Sequence, residues 1–456
     1  MKVVSKLSVP QVVSGLPAPV PRITHRLTSL VSHKGTLTLF DQGAVSMTGF
    51  LTSVIIGRFA GKDELGLYML ALSISVFITE LQTAIISTPY MIRRPQLGDQ
   101  REQRSYRGSV IAHQIAFSAG TVLLVSLAWM FLSLQGTMTD FHATLLVLAG
   151  AISLVMLRDF VRRLCFAELR TMSALLFDVA AGTLQVGGLL YFALGATLSA
   201  NLALATIGMA SAVSLLCWFA ANRGEFELSA RALVADFFIN WQLGKWILAS
   251  GLLWALSMNF YPWLITYFHG TESTGLWAAC IGILGVLNAP LIGLQNYLGP
   301  KIATVYATHG VSALCDYSRR AALFLVAFLG SVSVALALAG DWLLQNLYGT
   351  DYAGNGLALA FLALGLVAAS VGFVYSRGLF ALGKSDVDFK INIVPLLVLA
   401  TAGVWLVQLS GTVGAAASLF VAHVASALAR YWCLKAATTE RSEIAIEPTV
   451  ELQTDE

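Results

Sequence analysis

Ionisable and hydroxyl side chains are sparse in this chain, so those that interrupt its apolar runs stand out. Between residues 36 and 57, Asp41, Gln42, Ser46, Thr48, Gly49, Thr52 and Ser53 fall within roughly 160° of a helical wheel, opposite Met47, Phe50, Leu51 and Val54. A helix surrounded by hydrocarbon needs no such stripe, so this face should meet protein or water. A carboxylate among hydroxyls can bind a cation or a proton, or attract a positive group. The same small residues also suit close helix packing. The pattern recurs weakly downstream, where Ser250, Ser257 and Tyr261 stand 209 residues after Asp41, Thr48 and Thr52. The two stripes are expected to face one shared central cavity.

Other candidates lie nearby in the pattern. Glu80 and Asp178 also sit within apolar runs, where a charge is costly and points to function or to a partner. For Asp41 and Glu80 both readings stand, ion or proton binding against pairing with Arg93 or Arg158. For Asp178 pairing is the expectation. His113 and His423 are read as packing residues. Arg58 closes the first run on the side that otherwise avoids bases, and suits a phosphate or acidic sugar or an outer headgroup reached by snorkelling. Asn259 and Asn288 stand beside Pro262 and Pro290, which should break or bend their helices, as hinges or simply to shape packing. No nucleotide-binding, HExxH or GxSxG motif is present, so no enzyme is expected. Five cysteines without a CxxC pair predict no disulfide framework, no metal site and no cofactor.

The elements that must position these residues follow from composition. Of 456 residues, 57% are hydrophobic and 12% charged, against about 25% charged in soluble domains; mean hydropathy is +0.74. This predicts an all-α polytopic membrane protein. Apolar runs of about 20 residues, each enough to cross a bilayer, divide the chain into a flexible N-terminal tail (1–35), a six-helix lobe (36–221), an amphipathic linker (222–245), a second six-helix lobe (246–433) and an acidic tail (434–456). Pro10, Pro17, Pro19 and Pro21 break the N-terminal segment, so no signal peptide is expected. With twelve spans, all of the 28 Lys and Arg except Arg58 and Lys62 fall on one side. The positive-inside rule then makes both termini cytoplasmic.

Two phrases echo each other. "FAGKDELGLY" (59–68) joins spans 1 and 2, and "FHGTESTGLW" (268–277) joins spans 7 and 8. Gly66 and Gly275 are expected to permit the turns, with Tyr68 and Trp277 anchoring at the membrane interface. A second echo sets "RLCFAELR" (163–170) against "RGLFALGK" (377–384), at an offset of 214. Two echoes in order suggest a duplicated lobe, although glycine at a helical hairpin and arginine at an inner interface are also generic.

"SVIIGRFAGKDELGLYMLALSI" resembles the first hairpin of the polysaccharide flippases of the MATE-like (MOP) superfamily, the O-antigen and exopolysaccharide export proteins. The matching residues are Arg58, Gly66 and Tyr68. "LYGTDYAG" (347–354) and "RRLCFAELR" are similar to further segments of that family, and the likeness runs from about 36 to 433. It implies two pseudo-symmetric six-helix bundles forming a V around a cavity. It also implies export of polysaccharide precursor, by transfer of a polyprenyl-pyrophosphate-linked oligosaccharide across a bacterial inner membrane by alternating access. A glycan polymerase or glycosyltransferases would be its protein partners, and nucleic acid would not. The family's cavity is expected to be cationic, whereas the clear intramembrane charges here are acidic. A cation-coupled antiporter of the same fold, resting on Asp41, is therefore the alternative reading; a scaffold recruiting glycan enzymes through its basic loops is the third.

Overall fold

A computed structural model describes residues 23–135 and 140–444, with side chains from Gly35 onward. Most of the two expected tails falls outside the described residues. Every regular element among them is helical. The first half comprises α1 (Ile23–Phe59), α2 (Lys62–Gln82), a π-helical turn (Thr83–Ser87), α3 (Thr88–Arg93), α4 (Gln100–Leu134), α5 (Asp140–Ala167), α6 (Thr171–Leu194) and α7 (Ala200–Ala221). The second comprises α8 (Ala230–Asn259), α9 (Tyr261–Gly285), α10 (Asn288–Tyr348), α11 (Gly356–Ala381), α12 (Ser385–Ile391), α13 (Val394–Val398) and α14 (Val404–Ile444). The expected linker is not a separate helix, since α8 runs unbroken past residue 245.

Ten helical stretches among the described residues are long and apolar enough to cross a membrane. Three of them, 54, 60 and 55 residues long, exceed what one crossing requires, about 20 residues at 1.5 Å each. Each contains a glycine with positive φ, at Gly270, Gly310 and Gly411 respectively, where the helical path reverses without a separate loop. Large apolar side chains such as Leu124, Phe131, Leu338 and Trp405 are exposed, as expected where lipid replaces water. The chain is a multi-pass membrane protein.

The core is divided unevenly. At one end, called here the hairpin end because the 59–68 and 268–277 turns lie there, one buried cluster joins both halves. It unites Ile55, Ile56 and Leu65 with Tyr261, Trp277, Tyr348 and Leu359. At the other, arginine-rich end the halves keep separate cores. Tyr90, Tyr106, Phe160 and Trp218 belong to the first half alone, and Leu298, Ile302, Leu325 and Val374 to the second alone. Because buried apolar area drives association, the halves are joined most firmly at the hairpin end; at the arginine end no apolar cluster spans them among the described residues, and they meet through α8, where Asp236 pairs with Arg93 at 2.7 Å and Asn240 accepts from the Tyr106 hydroxyl at 2.7 Å.

Candidate functional site

The residues singled out for chemistry fall into two groups, one buried in the first half and one between the halves. In the first, α5 presents Arg158 and Arg162 one turn apart, so both side chains leave the same face. The Arg162 guanidinium bridges two helices, with Nη2 2.6 Å from Asp41 Oδ2 on α1 and Nε 2.5 Å from Asp178 Oδ2 on α6. Arg158 stands 3.6 Å from the other Asp178 oxygen and donates to Gln185 Oε1 at 3.4 Å. Gln185 Nε2 in turn donates to Thr52 Oγ1 at 2.8 Å. Asp41 and Thr52 are fully buried, and Asp178 nearly so. Two arginines balance two aspartates, the condition under which buried charge is tolerated. Even so, Oδ1 of Asp41 and of Asp178 lacks a hydrogen-bond partner.

This arrangement redirects part of the expected cavity. Asp178 pairs with Arg158, as expected, but the main partner of both aspartates is Arg162. Arg162 lies beyond the apolar run that marks this span in the sequence, because α5 continues to Ala167. Thr48 and Thr52 return their hydroxyl protons to the carbonyls four residues back. Thr48 also packs against Gly182 of α6 and Thr52 accepts from Gln185, while Gly49 of the same stripe stays exposed. Glu80 is half-buried on α2, close enough to Asp159 and Arg163 of α5 to interact electrostatically; Arg163 itself holds Asp159 at 2.7 Å.

The second-half stripe separates. Ser257 is buried and bonded to the Leu253 carbonyl. Tyr261 is buried too, its hydroxyl 2.9 Å from Ser418 Oγ and its ring stacked on Trp277 at 5.7 Å. Neither faces a cavity shared with Thr48 and Thr52. Asn259 bonds the Ala255 carbonyl and lines an apolar pocket of about 410 Å3 between the halves, with Phe77, Leu145 and Trp263. The side chains of Ser250 and Asn288 lie outside the described residues. Pro262 and Pro290 stand at the starts of α9 and α10, where a missing N–H costs little, so the expected break beside Pro262 is present at Phe260.

Between the halves, the hairpin end is closed by polar contacts. Lys62 Nζ lies 3.2 Å from Glu272 Oε2, and Thr271 Oγ1 donates to Asp63 Oδ1 at 2.6 Å. Tyr348 and Ser53 share a hydrogen bond of 3.1 Å, and Tyr352 donates to the Gly57 carbonyl. Arg58 Nη1 donates to the Asn346 carbonyl at 2.5 Å, within the last turn of α10. It therefore caps a helix of the other half. The expected roles of the echoed residues change as well. Gly61 and Gly270, with φ of 93° and 80°, make the turns. Gly66 and Gly275 instead bring two backbones together, and Trp277 is buried rather than interfacial.

At the arginine end Glu168 is gripped by Arg107, by Arg170 at 3.3 Å and by the Tyr90 hydroxyl at 2.8 Å. Glu225, in the connection after α7, pairs with Arg107 at 2.6 Å and Arg170 at 2.9 Å. Burial alone would raise the Glu225 carboxyl, but the hydrogen bond and charge of Arg170, with those of Arg107, hold it below the ordinary carboxylate value.

No protein-family model matches the chain. By sequence it is similar to the capsular polysaccharide biosynthesis protein CapF of Staphylococcus aureus, at 22% identity over 399 residues, covering 85% of this chain and 94% of that one. In structure it superposes on an inward-facing multidrug resistance MATE family transporter of the MOP superfamily with a TM-score of 0.70, at 14% identity, over 89% of this chain and 96% of the other. The fold is that of the MATE-like transporters. The lipid II flippase MurJ, in an inward closed conformation, superposes with a TM-score of 0.69 at 13% identity, over 92% of this chain and 93% of that one. Within the MATE-like fold, the Asp41–Arg162–Asp178 cluster locks α1, α5 and α6 into one unit, and the hairpin-end contacts tie that unit to the second half.

Proposed function

We propose that this protein flips a lipid-linked oligosaccharide across a bacterial inner membrane by alternating access, its two halves moving as twelve spans in two six-helix bundles. The observation that carries this reading is the uneven core. One cluster fuses the halves at the hairpin end, and none joins them at the arginine end. Dividing the three long stretches at Gly270, Gly310 and Gly411, and counting the two short pieces on either side of residues 286–288 as one crossing, supports the count of twelve. By the positive-inside rule the arginine end is cytoplasmic, so the end without a shared apolar cluster faces the compartment in which such precursors are built. A lipid-linked substrate suits a V, because its chain can remain in the bilayer while its sugar enters between the halves. The names of the lipid II flippase and the capsular polysaccharide protein, both similar to this chain, point the same way.

A cation-coupled antiporter remains the second reading, favoured by the unpartnered Oδ1 atoms of Asp41 and Asp178. The charge balance of the cluster weighs against it, because Arg158 and Arg162 together already neutralise the two aspartates where a cation would bind. The deciding experiment is reconstitution of the purified protein into liposomes carrying a fluorescent prenyl-pyrophosphate disaccharide. Transfer between leaflets at rates above protein-free liposomes is expected, insensitive to Asp41→Asn. Absence of transfer, together with proton- or sodium-driven drug efflux abolished by Asp41→Asn, would establish the antiporter instead.

A further inference from the structure

The duplicated halves differ at one pair of positions with a chemical consequence. Arg163 of α5 corresponds to Arg377 of α11 at the offset of 214, and Asp159, which neutralises Arg163 at 2.7 Å, corresponds to Phe373. The second half has therefore kept the cation and replaced its acid with a ring. The Arg377 guanidinium lies 4.6 Å from the centre of the Phe373 ring and 5.0 Å from that of Phe380. Its Nε is buried without a hydrogen-bond partner. Among the described residues no carboxylate reaches it within ion-pairing distance. The charged groups that act on it are Asp388 and Arg430, and these are paired with each other at 2.7 Å.

Arg377 and its two rings line a pocket of about 530 Å3 together with Gln295, Asn296 and Gly299 of α10. Among the described residues no acidic side chain lines it. Asn296 is exposed, and Gln295 half-exposed, so their amides add neutral donors beside the cation. Arginine held in this way is suited to bidentate binding of a phosphate, for which lysine is not equivalent. The rings also shed hydration from the guanidinium, which strengthens its attraction for an anion.

We propose that the Arg377 pocket is an anion subsite of the second half that takes a phosphate or pyrophosphate headgroup at the arginine end of the membrane. The proposal deepens the flippase reading and rests on it for the identity of the substrate. It supplies a cation without a paired acid, whereas Arg162 and Arg163 of the first half are taken up by Asp41, Asp178 and Asp159: the glycan-bearing headgroup docks on α10 and α11.

The test measures binding by the full-length protein in phosphatidylcholine nanodiscs, with farnesyl pyrophosphate as the probe and inorganic pyrophosphate as competitor. The wild type should bind the probe and release it to pyrophosphate. Arg377→Gln should weaken binding at least tenfold, and Arg377→Lys should recover only part. Arg320→Gln, an exposed position on α10 outside the pocket, should leave binding unchanged. Should Arg377→Gln fail to fold, Asn296→Asp, which places a carboxylate in the pocket from an exposed position, should give the same loss. Repeating the measurement in phosphatidylglycerol nanodiscs separates the sources: weaker probe binding there assigns the site to a bilayer headgroup, and equal binding assigns it to the prenyl-linked substrate. No probe binding by the wild type, or unchanged binding in both Arg377→Gln and Asn296→Asp, overturns the proposal. Because this readout is binding, it can fail while flipping in liposomes persists, or hold while flipping is absent.

Discussion

Gly66 and Gly275 each sit against the backbone carbonyl of the residue four positions before the other. A Cβ on Gly66 would meet the Thr271 oxygen at 2.0 Å, and one on Gly275 would meet the Lys62 oxygen at the same distance. The contact is reciprocal at the offset of 209, so the two echoed phrases are the two faces of one pseudo-symmetric joint. A backbone atom cannot swing aside as a side chain can, so any larger residue must push the helices apart. Gly66→Ala and Gly275→Ala are each expected to destabilise the closed hairpin end by about 1–3 kcal/mol. Spin-label distances across the hairpin end should shift toward longer values in both variants; unchanged distances would remove the joint from the mechanism.

The hairpin end must separate if the substrate is released there. Cysteines at Lys62 and Glu272, whose charged groups lie 3.2 Å apart, should crosslink on oxidation in a background lacking the five native cysteines. Flipping in liposomes should fall to that of protein-free controls and return on reduction. Full activity in the oxidised state would show that this end need not open.

The buried cluster predicts an order of damage. Arg162→Ala strands Asp41 and leaves Asp178 with Arg158 alone, and removing one partner of a buried ion pair typically costs about 3–5 kcal/mol. Asp41→Asn leaves Arg162 still paired with Asp178 at 2.5 Å, so its cost should be clearly smaller. Thermal unfolding of the detergent-purified protein measures both, and equal losses would contradict the central position given to Arg162.

Arg58 holds a carbonyl of the other half rather than an anion. Arg58→Ala should therefore loosen the hairpin end modestly, by about 0.5–1.5 kcal/mol, and leave binding of farnesyl pyrophosphate unaffected. Loss of probe binding in this variant would restore the phosphate-binding reading of that residue.

Glu225 makes the arginine end sensitive to acid. Its folded-state carboxyl lies below the ordinary value of 4.5 because Arg170 and Arg107 hold it against the opposing effect of burial. A depressed carboxylate stabilises the fold above its unfolded value, and that contribution is lost as pH falls through the folded value. The midpoint of thermal unfolding should drop below about pH 4.5 by less in Glu225→Gln than in the wild type. Parallel acid profiles would assign no linkage to this residue.

How much was legible in the sequence differs by element. The helical class and the correspondence of the halves could be read from apolar runs and two short echoes, because a bilayer imposes its thickness on every span. The corresponding glycines could be paired by counting, but their tasks could not be assigned. Gly61 and Gly66 look alike in one dimension; only the backbone shows that the first turns the chain and the second admits a neighbour. Arg162 escaped notice because a run of apolar residues ends before the helix does, although its spacing of four from Arg158 was a signal that both leave one face.

The sequence by itself determined a multi-pass helical membrane protein, since that property depends on the order of apolar and charged residues along one chain. Tertiary structure alone decided which charges meet. Asp41 lies 121 residues from Arg162, and nothing local to either distinguishes an ion-binding carboxylate from one already neutralised. It decided as well that Arg377, twin of a paired arginine, lies within 5.0 Å of two ring centres and, among the described residues, forms no ion pair. Coulomb attraction and desolvation depend on distance in space, which the packing of α1, α5, α6, α10 and α11 sets and sequence separation does not.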